Sequence, residues 1–209
     1  MPRAGLAPAA VVAAAAELAD EVGFAGLAMG LLAERLGVRT PSLYKHVDSL
    51  DALRHGVAVQ ATRELGDALA RATVGRAGPD AVRALAGAYR RWAHDHPGRY
   101  AAGLRSASID DEEDRRVSDA ALRVVYDVLA GFDLPEARLV DAARALRSTL
   151  HGFAALEAAG GFGLPRDVDR SFTFLIDTVI AGLQADHGMP PGDERRPDPR
   201  THGEHHRTR

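Results

Sequence analysis

Cysteine is missing from all 209 residues, which excludes a disulfide scaffold, a thiolate metal site, an iron–sulfur cluster and a cysteine nucleophile. A reducing compartment fits this usage. Lysine is nearly missing too: Lys45 stands alone beside 25 arginines and 40 alanines, a bias that reflects genome composition more than chemistry. Aromatic residues are scarce, at 5%. No apolar run approaches the roughly 18 residues that cross a bilayer, so the expectation is a cytoplasmic protein with no membrane partner. There is no Ser-centred glycine elbow, no phosphate loop and no pair of carboxylates on a dedicated cleft, which leaves little for an enzyme to work with. What is present is 46% hydrophobic and 26% charged residues, a globular balance with enough chain for one sizeable domain, or an ordinary one beside a small one. The net charge of −3 argues against a surface coated in nucleic acid but leaves room for a local basic patch.

The apolar start, Leu6 to Ala16 behind Arg3, imitates a signal peptide. Its spacing continues past the run, however. Val11, Ala15, Leu18 and Val22 recur at helical intervals with Glu17, Asp20 and Glu21 off that face, so the segment reads as a first amphipathic helix behind Pro8. Further along, Pro41, Pro79, Pro97, Pro135 and Pro165 fall where one helical pattern gives way to the next. The helices expected are 8–23, 29–36, 41–47, 49–73, 80–94, 97–105, 112–131, 135–158 and 168–186, with no convincing strand, which makes the chain all-α with about nine helices. The run Asp110, Asp111, Glu112, Glu113 and Asp114 reads as a helix start favoured by the macrodipole rather than a cation site. His94 and His96 diverge on a helix and read as surface or capping residues. From Gly188 the chain turns to Pro-Pro-Gly and mixed charge, a disordered tail whose His202, His205 and His206 lack the ordered carboxylates of a metal site. No cofactor and no metal are expected.

The informative stretch runs from Leu31 to Leu53. Leu32, Ala33 and Leu36 give a short helix one apolar face, and Gly37 supplies the positive φ of a tight turn. Thr40 then stands as an N-cap with Pro41 at the first helical position. Leu43 and Val47 point inward, leaving Thr40, Ser42, Tyr44, Lys45 and His46 mostly outside. Two short helices joined by a glycine turn make a helix-turn-helix. Arg35, Arg39 and Lys45 give the window from Arg35 to Val47 a charge of +3, although residues 1–55 carry five basic and six acidic groups. The hydroxyls, the His46 ring and a helix start suit phosphate and base contacts in a major groove. A compact helical hairpin with a wet polar face has the same spacing, and that alternative stays open on spacing alone.

The string Thr40-Pro41-Ser42-Leu43-Tyr44-Lys45-His46-Val47, with Asp51-Ala52-Leu53 behind it, closely resembles the recognition segment of the TetR family of transcriptional regulators. The resemblance covers the first 55 residues and implies a DNA-binding protein acting on a double-stranded operator. It implies that Arg39, Thr40 and Ser42 face base edges, that Tyr44 and His46 hold the phosphate backbone, and that Lys45 lies between them. Three positions depart from the pattern: Ala28 stands where Thr or Ser is usual, Gly30 at a usually polar site, and Leu50 where some relatives carry Lys. With so few phosphate ligands, weak non-specific affinity and a salt slope of about three to five per half-site are expected.

In the C-terminal part, Phe172, Leu175, Ile176, Val179 and Leu183 line one broad stripe, while Phe174 and Ala181 sit towards another side, so the last helix is covered on more than one face. Leu139, Ala143, Leu146 and Leu150 line the helix before it. An ordinary monomeric core explains these stripes; the family resemblance implies instead a homodimer joined through these two helices, with recognition helices about one DNA turn apart. Leu150-His151-Gly152-Phe153 and the following Gly-rich stretch resemble a C-terminal domain of the Trp-His-Gly type, with Leu150 in place of Trp. The family's effector pocket makes Tyr89, Trp92, Tyr100, Tyr126, His151 and Phe153 candidates to line it, though each also reads as core. The organisation expected is a helix-turn-helix domain over 1–55, a helical effector-binding and dimerisation domain over 56–187, and the tail over 188–209. The function expected is a ligand-released repressor, with helix 49–73 as the lever between pocket and DNA; the alternative is a helical binding module without DNA.

Overall fold

Five helices begin at or beside a proline, whose missing N–H is harmless in a first turn. The computed structural model describes residues 7–105, 108 and 110–185. Among these the helices are α1 (Pro8–Val22), α2 (Met29–Arg35), α3 (Thr40–Leu43), α4 (Leu50–Thr73), α5 (Gly78–Asp95), α6 (Pro97–Ala102), α7 (Glu112–Leu129), α8 (Glu136–Ala158) and α9 (Val168–Ala185), with no strand. Short 3-10 turns at Phe24–Gly26 and Ala130–Phe132 were not signalled by the sequence. The leader-like residues Arg3 and Leu6, and the tail with His202, His205 and His206, lie outside the described residues. No described helix is long and apolar enough to cross a membrane.

Two apolar clusters organise the chain. The first gathers Val11, Ala15, Leu18, Leu32, Leu43, Leu53 and Val57 from α1 to α4, with Val38, Val47 and Leu50 packed against it. Val22, which continues the α1 stripe in sequence, is exposed. The second joins α4, α5, α7, α8 and α9 through residues such as Leu69, Leu85, Leu129, Leu146 and Ile176. Helix α4 serves both clusters, so the boundary expected near residue 55 falls inside a continuous helix.

Helix α6 presses on the first unit from the other side. A Cβ built on Gly98 would meet the Ala19 carbonyl oxygen at 1.9 Å, so the two backbones touch where any side chain would stand. The next residue fixes the contact. Arg99 donates from its backbone N–H to Asp20 Oδ1 at 2.8 Å, from Nε to Asp20 Oδ2 at 2.7 Å, and from Nη1 to Glu64 Oε2 at 2.8 Å, binding α1, α4 and α6 together. His96 Nδ1 lies 3.4 Å from the same Asp20 carboxylate.

Gly98→Ala is therefore expected to lower stability by about 2–3 kcal/mol, because backbone atoms cannot move aside as a flexible side chain can. Thermal unfolding followed by circular dichroism measures it. An unchanged melting temperature would mean that α6 does not bear on α1 in solution.

Candidate nucleic-acid interface and ligand cavity

The turn between α2 and α3 is built on Gly37, whose φ is +64°. The Val38 N–H donates to the Ala33 carbonyl and Leu43 is fully buried, pinning α3 to the first cluster. The α-helical part is only Thr40–Leu43, shorter than the expected 41–47; beyond it His46 N–H and Val47 N–H both donate to the Leu43 carbonyl, so the chain continues as a turn. The N-cap is Arg39 with extended backbone, one residue before the expected Thr40, and no side chain caps the helix. Ala28 likewise caps α2 without a side-chain bond. Ser49, by contrast, caps α4 by accepting from the Ala52 N–H at 3.0 Å.

Arg39, Tyr44 and Lys45 are exposed, and Thr40, Ser42 and His46 half-buried, on one continuous surface. None of these six side chains makes a hydrogen bond or ion pair among the described residues. Arg35 does not join them. Its Nη1 donates to both Glu21 carboxylate oxygens at 2.8 Å and its Nη2 to Glu17 at 3.2 Å, and the bond to Glu21 above all holds its pKa above the ordinary guanidinium value. The +3 of the sequence window thus shrinks to the charges of Arg39 and Lys45. Arg54 is occupied too: it donates to the Ala25 and Leu27 carbonyls at 3.3 and 3.2 Å, tying α4 to the connection before α2.

Behind this unit a cavity of about 370 Å³ lies between α4, α5, α6, α7 and α8. Leu65, Leu69, Leu85, Val125 and Leu146 supply its apolar wall. Tyr89, Trp92 and Tyr100 line it as expected from sequence. The other three candidates are placed elsewhere. His151 stands one bond behind, its Nδ1 2.6 Å from the Tyr100 hydroxyl, which is in turn 3.0 Å from that of Tyr89. Phe153 packs tilted against Phe162 and edge-on to Phe172 under the Arg90 guanidinium, and Tyr126 packs into the second cluster. Burial pushes both Tyr89 and Tyr100 above the ordinary phenol range, so both are neutral hydroxyls. Sequence reasoning missed Arg147, which lines the cavity one turn before His151; that i, i+4 spacing on a face shared with Ala143 was the available signal.

Much of the stripe assigned to a dimer contact is buried within the protomer. Ala143, Leu146, Leu150, Phe172, Ile176 and Leu183 are buried in the protomer's own second cluster, with Leu139, Leu175 and Val179 packed against them. Periodicity shows that a face is apolar, not what covers it. The outward residues of the same helices include Val140, Ser148 and Ala155 on α8 and Phe174, Thr178, Ala181 and Ala185 on α9, with Phe174 75% exposed.

One model, described as Bacterial regulatory proteins, tetR family, matches residues 11–57; another, Tetracyclin repressor-like, C-terminal domain, matches 82–179. The chain is 38% identical over 184 residues to the HTH-type transcriptional regulator YobS of Bacillus subtilis, covering 87% of this chain and 95% of that one. It belongs to the TetR family of bacterial regulatory proteins. A second relative, the HTH-type transcriptional regulator Rv0681 of Mycobacterium tuberculosis, is 38% identical over 182 residues, covering 87% of this chain and 83% of that one. Among solved structures, a TetR variant from Acinetobacter baumannii AYE in complex with minocycline superposes with a TM-score of 0.65 at 26% identity, covering 88% of this chain and 99% of that chain. This TetR-family chain is a helix-turn-helix, DNA-binding transcriptional regulator, and the enzyme and DNA-free alternatives fall away.

In this regulator the joint between α4 and α7 carries the most buried charge. Asp111 caps α7 by accepting from the Asp114 N–H at 3.0 Å and takes a second bond from His55 Nε2 at 2.6 Å; these two bonds, in that order, hold its carboxyl below the usual range. The acidic run is thus a helix start, as its sequence suggests. Asp114 itself is buried: burial pushes its carboxyl up, but Arg105 Nη1 at 2.7 Å and the Ser108 N–H at 2.8 Å outweigh that and hold it down. Glu157 is held down chiefly by its bonds to Arg90.

Because these folded carboxyl pKa values lie below their unfolded ones, their stabilisation is complete above the ordinary carboxylate range and is lost as pH falls through the folded values. Melting temperature should be level from neutrality to about pH 5 and then fall. Asp114→Asn should cost about 2 kcal/mol at neutral pH and flatten the acid limb, as thermal scans across pH would show.

Proposed function

We propose that this regulator is a homodimeric repressor that leaves a palindromic operator when a small molecule fills the cavity. The observation that carries the reading is shared walls: α4 and α6 line the cavity, and the same two helices hold the helix-turn-helix unit. Helix α4 reaches the cavity with Ala61, Thr62, Leu65 and Leu69, and its Ser49 cap follows α3 after a turn. Helix α6 places Tyr100 in the cavity and Gly98 on α1. A ligand shifts the operator equilibrium only by its difference in affinity for two arrangements of these helices; about 5.5 kcal/mol takes it from 1:99 to 99:1. That a structural relative is a complex with minocycline supports a small-molecule effector here.

On the DNA side, Arg39, Thr40 and Ser42 read base edges, Tyr44 and His46 hold phosphates, and Lys45 adds charge between them. Their lack of internal partners supports this, since each is free to bond outward. Fluorescence anisotropy with the DNA upstream of its own gene tests the reading. Replacing Arg39 or Ser42 should change which bases are preferred, whereas Tyr44→Phe should weaken all sequences alike, by about 1 kcal/mol per half-site. A change of base preference in Tyr44→Phe would reverse the assigned roles.

The dimer contact in this reading is the outward face of α8 and α9, from Val140 to Ala155 and from Phe174 to Ala185, rather than the inward stripe. An aromatic ring left as exposed as Phe174, with the small residues Thr178, Ala181 and Ala185 along the same side of α9, supports it. Phe174→Glu should convert the dimer to a folded monomer in analytical ultracentrifugation; a dimer that persists would place the contact elsewhere.

A further inference from the structure

Besides the two tyrosines, three charged side chains line the cavity: Arg105, Asp119 and Arg147. Arg105 is bonded to the buried Asp114. Asp119 lies on the rim, one helical turn from both Arg115 and Arg123, and shares with them and Arg116 an outer groove along α7. Arg147, unlike Arg105, has no carboxylate within ion-pair distance among the described residues. Its positive charge bears on the Tyr89 and Tyr100 hydroxyls and favours their ionisation, though burial wins and both remain neutral. The cavity therefore combines an apolar wall with an arginine that no described carboxylate pairs.

We propose that the effector is a small amphipathic carboxylate, its apolar body against Leu65, Leu85, Trp92 and Leu146 and its charged end between the Arg147 guanidinium and the Tyr89 hydroxyl. This rests on the reading of the cavity as the effector site. The hydroxyl chain can adapt to such a ligand. With the proton of His151 on Nε2, Tyr100 donates to Nδ1 and Tyr89 donates to Tyr100, which leaves only lone pairs for the cavity. With the proton on Nδ1 the chain reverses: His151 donates to Tyr100, Tyr100 donates to Tyr89, and the Tyr89 O–H is released to a ligand acceptor. A carboxylate selects the second arrangement and pairs with Arg147. An ammonium would select the first, but at this position would lie beside the like charge of Arg147.

The same contacts give the ligand a lever. Tyr100 follows Arg99 and Gly98, so a carboxylate that reorients the hydroxyl chain acts on the helix that touches α1.

The test uses the full-length protein and Trp92, its single tryptophan, which lines the cavity. Straight-chain carboxylates from hexanoate to decanoate, and phenylalkanoates, are titrated against the matching alcohols and amines while Trp92 emission is recorded. Operator release is followed in parallel by anisotropy. Carboxylates should bind about tenfold more tightly than either neutral or cationic partner. Arg147→Gln should bring them down to the level of the alcohols, and Arg147→Lys should restore part of the difference. Alcohols or amines that bind as tightly as carboxylates would overturn the proposal while leaving the effector reading in place. So would a carboxylate preference that survives Arg147→Gln, or a full set of compounds that leaves Trp92 emission unchanged. Carboxylates that bind through Arg147 but leave the operator complex intact would support the ligand class and overturn ligand release instead.

Discussion

The contact on which the rest depends is backbone against backbone, where α6 meets the end of α1 at Gly98. A contact with no side chain between its partners has almost no slack, because packed backbone is far less compliant than a rotatable side chain. Arg99 then ties the contact to Asp20 and Glu64, adding a charged clamp at the one place where three helices meet. Tyr100 follows immediately and faces the cavity. Three consecutive residues thus stand in three places: against α1, in the clamp on α1 and α4, and on the cavity wall. The lever anticipated from sequence was α4 alone; in the proposed reading α6 is a second and shorter one.

Electrostatics on the reading side is frugal. Arg35 is committed to Glu17 and Glu21, and Arg54 to backbone carbonyls, so both stabilise the unit rather than project from it. With a net charge of −3 over the chain and two cations exposed beside α3, long-range attraction to DNA is modest. In the proposed homodimer, affinity then comes from close fit between two half-sites, which makes it sensitive to their spacing. Weak general attraction and strong dependence on geometry suit the ligand release proposed.

Much of this was legible in the sequence. The prolines marked helix starts because a residue without an N–H has few other places in a helical chain, and Gly37 marked the turn because its φ admits few alternatives. Periodicity found α8 and α9 but left open what covers their apolar stripe. Leu146 and Ile176 face their own core, while Phe174, already out of phase with that stripe, faces outward. A hydrophobic face has the same period whether it meets its own chain or a copy. Charge pairs between one element and the next were invisible for a different reason. Asp114 looked like one more acid in a helix start, and nothing nearby in sequence announces that Arg105 and Ser108 enclose it. Arg147 was passed over because a lone arginine on a helix resembles any solvated one.

The brevity of α3 has a consequence for how such a protein changes over time. A single turn cannot hold its own shape in water, so its form is imposed by Leu43 and by the helices around it. The outward side chains contribute almost nothing to that shape. They are free to be exchanged by mutation with little penalty in folding, and a descendant can answer to a different promoter while inheriting the same body.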